Sequence, residues 1–192
     1  MAVRSKESWR RRFRTYRRSL SPGAYQARST LISHRSLAVS DVARAKSVHT
    51  YWPLTAQREV DTRPLIAALR GRGISIVLPV ITSFEPDTPS LEHRQYEGPE
   101  SLHANQWGIR EPWHTDRVSV DTVDAVIVPA LGIGENGHRL GHGSGYYDAF
   151  LESLTCPRIG VTYEECLVSS VPHAQHDVPL TNIVTERRTL TL

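Results

Sequence analysis

The residues best equipped for chemistry lie in one stretch, Arg139-Leu-Gly141-His142-Gly143-Ser144-Gly145-Tyr146-Tyr147-Asp148. Three glycines at alternate positions run straight into the start of a helix at Tyr146. Without Cβ atoms in the way, backbone N–H groups of such a loop can close on an anion at the helix N-terminus. Arg139 adds a planar guanidinium that can grip phosphate oxygens through two parallel hydrogen bonds. Asp148, in the first helical turn, suits the helix dipole in any case and can also hold Mg²⁺ against a polyphosphate. Upstream, Gly132-x-Gly134-x-x-Gly137 formally matches a dinucleotide fingerprint. That motif must open a helix directly, whereas His138, Arg139, Leu140 and three more glycines intervene, so it reads as a turn or hairpin. No G-x-x-x-x-G-K-[ST] occurs, and a P-loop NTPase is excluded.

These residues need a scaffold, and the pattern along the chain supplies one. Residues 6–20 read as a helix with Trp9, Phe13, Tyr16 and Leu20 on one stripe. Lys6, Arg10 and Arg17 flank that stripe and can present charge into a neighbouring cleft, while Arg11 and Arg18 face water. Ser21-Pro22 closes this helix and opens the next, to about residue 37. Short β-rich runs at 47–52 and 74–79 bracket a helix at 64–70, with Thr62 or Asp61 as its cap. Such a βαβ unit favours parallel pairing. Residues 82–118 are polar and Pro-rich, expected as loops lining a site, with one strand near 91–96. A β-branched run at 123–128 suits a strand buried on both faces, followed by a helix at 146–154 and a strand at 158–162. The expected architecture is a single three-layer α/β/α domain with a mostly parallel central sheet, Rossmann-like. Ligands of such folds bind beyond the carboxyl ends of the strands.

Composition agrees with an ordinary globular domain: 192 residues, 39% hydrophobic and 22% charged. The longest apolar run, 125–131, is far short of a membrane-spanning helix. Without a secretory signal pattern and with two cysteines ten residues apart, Cys156 and Cys166, a reduced cytoplasmic protein is expected. Net charge is +3, but residues 1–20 hold eight basic groups and one acidic, a net of +7. The other 172 residues hold 15 basic and 19 acidic groups, a net of −4. The excess is thus concentrated on one helix.

The Arg139–Asp148 stretch resembles the signature R-L-G-x-G-x-G-Y-Y-D of the 5-formyltetrahydrofolate cyclo-ligase family. Five further segments are similar in the same order: Lys6-x-x-x-Arg10 with Arg17 and Leu20-Ser21-Pro22; Glu59-Val-Asp-Thr-Arg-Pro-Leu65; Leu78-Pro79; Trp107-Gly-Ile-Arg-Glu111-Pro112; and Pro172-x-x-x-His176-Asp177 with Val184-Thr185-Glu186. The resemblance implies an ATP- and Mg²⁺-dependent enzyme that turns 5-formyltetrahydrofolate into 5,10-methenyltetrahydrofolate, ADP and phosphate, through phosphorylation of the formyl oxygen. It implies that Lys6, Arg10, Arg139 and the loop Gly141, His142, Gly143, Ser144, Gly145, Tyr146 to Tyr147 and Asp148 hold ATP. Asp148 and Asp177 would bind the metal, Glu59, Trp107 and Tyr147 the folate, and Arg139 and Tyr147 would stand at the reacting centre. Arg17 is a weaker phosphate-side candidate.

Several of these residues also have plainer readings. Lys6 and Arg10 can be a solvated helix face, Trp107 a core aromatic, and Glu111-Pro112 reads better as a turn than as catalysis. His173-x-x-His176-Asp177 lacks a third ligand cluster for zinc, and His138 and His142, in a glycine loop rather than on a helix, are not expected to bind metal. Small-molecule substrates are expected as partners, with no nucleic acid, no membrane, and a monomer or weak dimer. A rival reading makes the 1–20 helix a DNA-binding arm, which predicts steeply salt-dependent affinity lost on its deletion. Another is an α/β phosphate-binding enzyme acting on a sugar phosphate, which would bind ligand without turning over ATP.

Overall fold

The computed structural model describes residues 5–85, 89–174 and 177–192. Helix α1 (Lys6–Ser19) starts at Ser5, whose hydroxyl accepts Ser8 N–H at 3.2 Å. Helix α2 (Pro22–Leu37) starts at Ser21, which caps Ala24 N–H, with Pro22 in its first turn. A short α3 (Ser40–Arg44) leads into β1 (Ser47–His49), then α4 (Arg63–Gly71) and β2 (Ser75–Ser83). β1 and β2 pair in parallel with Val48 opposite Ile76, closing the expected βαβ unit. At the start of α4 it is Asp61 that takes the Arg63 N–H, while the Thr62 hydroxyl donates to Tyr51 O at 2.6 Å.

β3 (Ser90–Gln95) pairs antiparallel with β2, and β4 (Leu102–Ala104) with β5 (Arg110–Pro112) forms a hairpin. β3 is the strand expected near 91–96; among the described residues of 82–118 it is β4 and β5 that add order to the loops expected, because strands of three residues show no periodic pattern of their own. Next come β6 (Ala125–Pro129), β7 (Gly132–Gly134), β8 (Arg139–Leu140) and α5 (Tyr146–Glu152). The chain finishes with β9 (Arg158–Val161), β10 (Leu167–Val168), β11 (Asn182–Val184) and β12 (Thr189–Thr191).

The main sheet has the order β12-β11-β9-β6-β1-β2-β3, parallel throughout except for its two edge strands. Alternate residues of its central strands enter separate cores, as the two-residue period of a strand demands. Ile76, Leu78, Ala125 and Ile127 face Phe13, Ile32, Leu65 and Leu69 of α1, α2 and α4. Val77, Val126 and Val128 face Phe150 and Leu151 of α5. The three-layer α/β/α architecture follows, with one layer much thicker than the other.

Gly132-x-Gly134 forms a hairpin strand with β8, not a dinucleotide loop. Gly132 has a packing reason: a Cβ there would lie 2.2 Å from the Phe13 ring. α1 therefore sits directly on β7, with Phe13 fully buried. Phe13→Ala should cost about 3–5 kcal/mol of stability and Gly132→Ala about 1–3 kcal/mol, read as shifts in urea midpoint. A neutral Gly132→Ala would show that α1 does not need this close approach.

Candidate functional site

A cavity of about 580 Å³ opens beyond the carboxyl ends of β1 and β6. Between these two strands the chain order reverses: β1 is followed by β2 on one side, β6 by β9 on the other. Such a switch point is where open α/β sheets leave a crevice. The segment after β1 brings Tyr51, Trp52, Leu54 and Glu59 into it, and the end of β6 brings Pro129 and the following Ala130.

One wall is cationic. Lys6 and Arg10 of α1 and Arg139 of β8 line it, together with the whole 141–148 loop. Arg10 Nε donates to Gly141 O at 3.0 Å and Arg14 Nη2 to His142 O at 3.5 Å, so α1 holds the loop by its carbonyls. Gly143 and Gly145 have φ of +110° and +75°, left-handed backbone that disfavours any other residue. Gly145 thereby turns the chain into α5 and sets Tyr146 and Tyr147 on the cavity.

The cations already have partners. Lys6 Nζ pairs with Asp177 Oδ2 at 3.0 Å, and Arg139 Nη2 with Asp148 Oδ1 at 2.8 Å. Burial lowers the Arg139 pKa, opposed by Asp148. Two buried polar groups here make no hydrogen bond among the described residues: Arg139 Nε and the Tyr147 hydroxyl. Burial pushes the Tyr147 phenol well up, so it remains a donor. Orphaned donors in a cavity are what a bound acceptor would satisfy.

Pro79, Ile81, Leu91, Trp107 and Ile109 form a second, largely apolar wall, interrupted by Arg110 and Glu111. Trp107 is half exposed, edge-on to Phe84 at 4.5 Å and to Tyr146 at 6.4 Å. It is an aromatic face at the cavity, not a core residue. Glu59 is buried, with Oε2 accepting Leu54 N–H at 2.9 Å and Oε1 4.0 Å from His142 Nε2. The four residues between Leu54 and Glu59 close into a tight turn over Thr55–Gln57, with Arg58 left-handed at φ 51°, so their length does not displace Glu59. Burial raises the Glu59 pKa, against the pull of the Arg17 charge and the Leu54 N–H. His142 is held down to about 4 by burial and the Arg17, Arg14 and Arg10 charges.

All the expected site residues line this one cavity: Lys6, Arg10, Glu59, Trp107, Arg139, 141–148 and Asp177. Among the described residues, Asp148 and Asp177 are not joined by a third His, Cys, Asp or Glu into a metal cluster. Arg17 departs from its placing beside a cleft. It is 1% exposed, donates to Ala130 O, and lies behind the lining. Glu111 is a correction: it lies in β5, not in a turn, and its buried carboxylate lines the cavity. Its signal was present in Trp107-Gly-Ile-Arg-Glu111-Pro112 but hidden by the turn-forming Glu-Pro. His176, in the segment resembling the family's P-x-x-x-H-D, lies outside the described residues. His173 instead stacks on His138, ring centroids 3.7 Å apart.

The model of the 5-formyltetrahydrofolate cyclo-ligase family matches residues 2–186. This chain belongs to that family. The cyclo-ligase of Escherichia coli K12 is 31% identical over 178 residues, covering 90% of this chain and 95% of that protein. The cyclo-ligase of Mycolicibacterium smegmatis is 31% identical over 149 residues, covering 74% and 75%. The NMR structure of Aquifex aeolicus 5,10-methenyltetrahydrofolate synthetase superposes with a TM-score of 0.84 at 26% identity, covering 97% of this chain and 92% of that one. The fold of this cyclo-ligase family member is thus that of a known synthetase, over nearly its full length.

Behind Tyr147 the family member carries a histidine pair, buried His49 and half-buried His93, with His49 Nε2 to His93 Nδ1 at 3.1 Å and His49 edge-on to Tyr147. Burial drives His49 well below 6.5 and His93 down to about 4. Below pH 6.5 the unfolded chain therefore takes up protons that the native pair refuses. Stability should fall as pH drops from 6.5 toward 4, and His93→Gln should make that fall shallower. Urea titrations across this range check it; identical slopes in parent and variant would contradict it.

Proposed function

We propose that this chain catalyses the ATP- and Mg²⁺-dependent conversion of 5-formyltetrahydrofolate to 5,10-methenyltetrahydrofolate, releasing ADP and phosphate. The observation that carries this reading is a single cavity with Lys6, Arg10 and Arg139 on one wall, Trp107 with apolar side chains and Arg110 on the other, and the Glu59 carboxylate lining it as well. A triphosphate suits the first wall, a flat heterocycle with N–H donors the second.

The formyl oxygen is amide-like and leaves poorly. In the proposed reaction it attacks the γ-phosphorus and ADP departs. N10 of the folate then adds to the activated formyl carbon, loses its proton, and the phosphate leaves with the oxygen as the ring closes. Phosphoryl transfer asks the protein for positioning and charge neutralisation rather than a nucleophile. Lys6, Arg10, Arg139 and the 141–145 backbone supply these on the nucleotide side. Tyr147, between the walls, donates its unpaired hydroxyl to an oxygen near the transferred group. Trp107 stacks on the pterin and Glu59 accepts ring N–H bonds.

Asp148 and Asp177 fit a magnesium–nucleotide complex as oxygen donors at the same cavity, since Mg²⁺ usually takes one or two carboxylates and fills its shell with phosphate and water. They would hold it there, and bound Mg²⁺ supplies neutralisation of the polyphosphate. Their present partners, Arg139 and Lys6, would then turn to phosphate oxygens. Within the same reading the protein works in the cytoplasm as a monomer or weak dimer; among the described residues no helix is long and apolar enough to cross a membrane.

Mixing the protein with 5-formyltetrahydrofolate, ATP and Mg²⁺ should give the near-ultraviolet absorbance of the methenyl product only when all three are present. No ATP-dependent signal would sink the proposal. Arg139→Ala should lower kcat/KM for ATP by about 100-fold or more with the circular dichroism unchanged. Asp148→Asn should move the Mg²⁺ dependence of turnover to higher concentration, and an unmoved curve would remove Asp148 from the metal site.

A further inference from the structure

Glu111 has no role in the reading above, yet it is built like a binding group. Its residue is 8% exposed and lines the cavity beside Trp107, Ile109 and Ile81. One carboxylate oxygen, Oε1, accepts two hydrogen bonds, from Ile81 N–H and from Asn105 Nδ2, each at 3.0 Å. The other, Oε2, accepts none among the described residues, and it is not among the buried polar atoms without a partner. It therefore remains accessible from the cavity that Glu111 lines. Burying a carboxylate is costly, and two donors on one oxygen offset only part of that cost. The raised pKa of Glu111, set first by burial and opposed by those two donors, has the same origin.

Asn105 ties this carboxylate to the aromatic wall. While its amide NH₂ donates to Glu111, its Oδ1 accepts Trp107 N–H at 2.9 Å and Ile109 N–H at 3.1 Å. The backbone that carries Trp107 and the Glu111 carboxylate thus share one anchor. Glu59 has a parallel construction: one oxygen accepts the Leu54 N–H, and the other lies 4.0 Å from His142 Nε2. The cavity therefore presents two separate open carboxylate oxygens to one ligand.

A reduced pterin has N–H donors at N3, at the 2-amino group and at N8, spread over more of the ring edge than one carboxylate can face. We propose that Glu111 is a second folate-binding residue, accepting an N–H of the pterin ring through Oε2 while Asn105 and the Ile81 N–H hold Oε1. This rests on the folate reading of the site and extends it, because it makes recognition of the ring depend on a pair of carboxylates. No bond is made or broken at Glu111; it orients the ring.

Binding of 5-formyltetrahydrofolate without nucleotide, measured by titration calorimetry, tests this apart from turnover. In Glu111→Gln the amide oxygen can keep the Ile81 and Asn105 bonds, but the open arm becomes an NH₂ that faces the ring donors. Its Kd for 5-formyltetrahydrofolate should rise at least tenfold, with KM for ATP within about twofold and the melting temperature unchanged. Should Glu111→Gln fail to fold, Glu111→Asp is measured in the same way: it keeps the charge but draws the open oxygen back by one methylene, and should weaken folate and not ATP. Parental folate affinity in the folded variant, or an equal loss for ATP, overturns the assignment of Glu111 alone. A parent protein that binds no 5-formyltetrahydrofolate overturns the folate reading and this assignment with it.

Discussion

The seat of α1 on β7 is the contact on which the site depends. Phe13 lies against Gly132 at a distance no side chain at that position would permit, which brings the helix axis close to the hairpin. One turn further on, Arg17 reaches Ala130 O at the end of β6. One turn back, Arg10 meets the carbonyl of Gly141, Arg14, adjacent to Phe13, meets that of His142, and at the helix start Lys6 meets Asp177. A helix carrying the chain's excess of positive charge is thereby delivered to the rim of a cavity. Arg11 and Arg18, on its other side, are exposed, and so is Arg12, over the Trp9 ring.

Charge balance is the second constraint. Arg17 is a guanidinium with no carboxylate at ion-pair distance among the described residues, and two of its nitrogens make no hydrogen bond. Its charge acts through space on Glu59, His142, Tyr51 and Tyr163. It favours an ionised Glu59 and a neutral His142. At the cavity surface Asp148 and Asp177 balance Arg139 and Lys6 before any ligand arrives. An entering polyphosphate competes with these carboxylates for the cations, which makes the exchange of partners between Asp, cation, metal and phosphate the central event of the proposed binding.

Much of the scaffold was legible because it is local. Ser5, Ser21 and Pro22 mark helix starts, and the β-branched run marks β6. The βαβ pattern announces the β1–β2 pair. Strands of two or three residues, such as β4, β5, β11 and β12, are too short to show a period, and their pairing partners lie elsewhere in the chain or across a loop. The site divided in the same way. The ordered motifs named Lys6, Arg10, Glu59, Trp107, the 139–148 stretch and Asp177, and the fold collects all of them at one cavity. Glu111 escaped because Glu-Pro reads locally as a turn, and only its pairing in β5 turns the carboxylate inward.

By itself the sequence determined which residue types were at hand and in what order: a cation-rich first helix on a weakly acidic remainder, a glycine loop placed to start a helix, and six motifs shared with one family. A helical wheel could also tell the wet side of α1 from its packed side, because side-chain direction follows from helix period. Depth does not follow from period. Whether Arg17 would reach a cleft or vanish beneath it, and which carboxylate would meet which cation, was decided only when Phe13 settled on Gly132 and brought segments more than a hundred residues apart into contact.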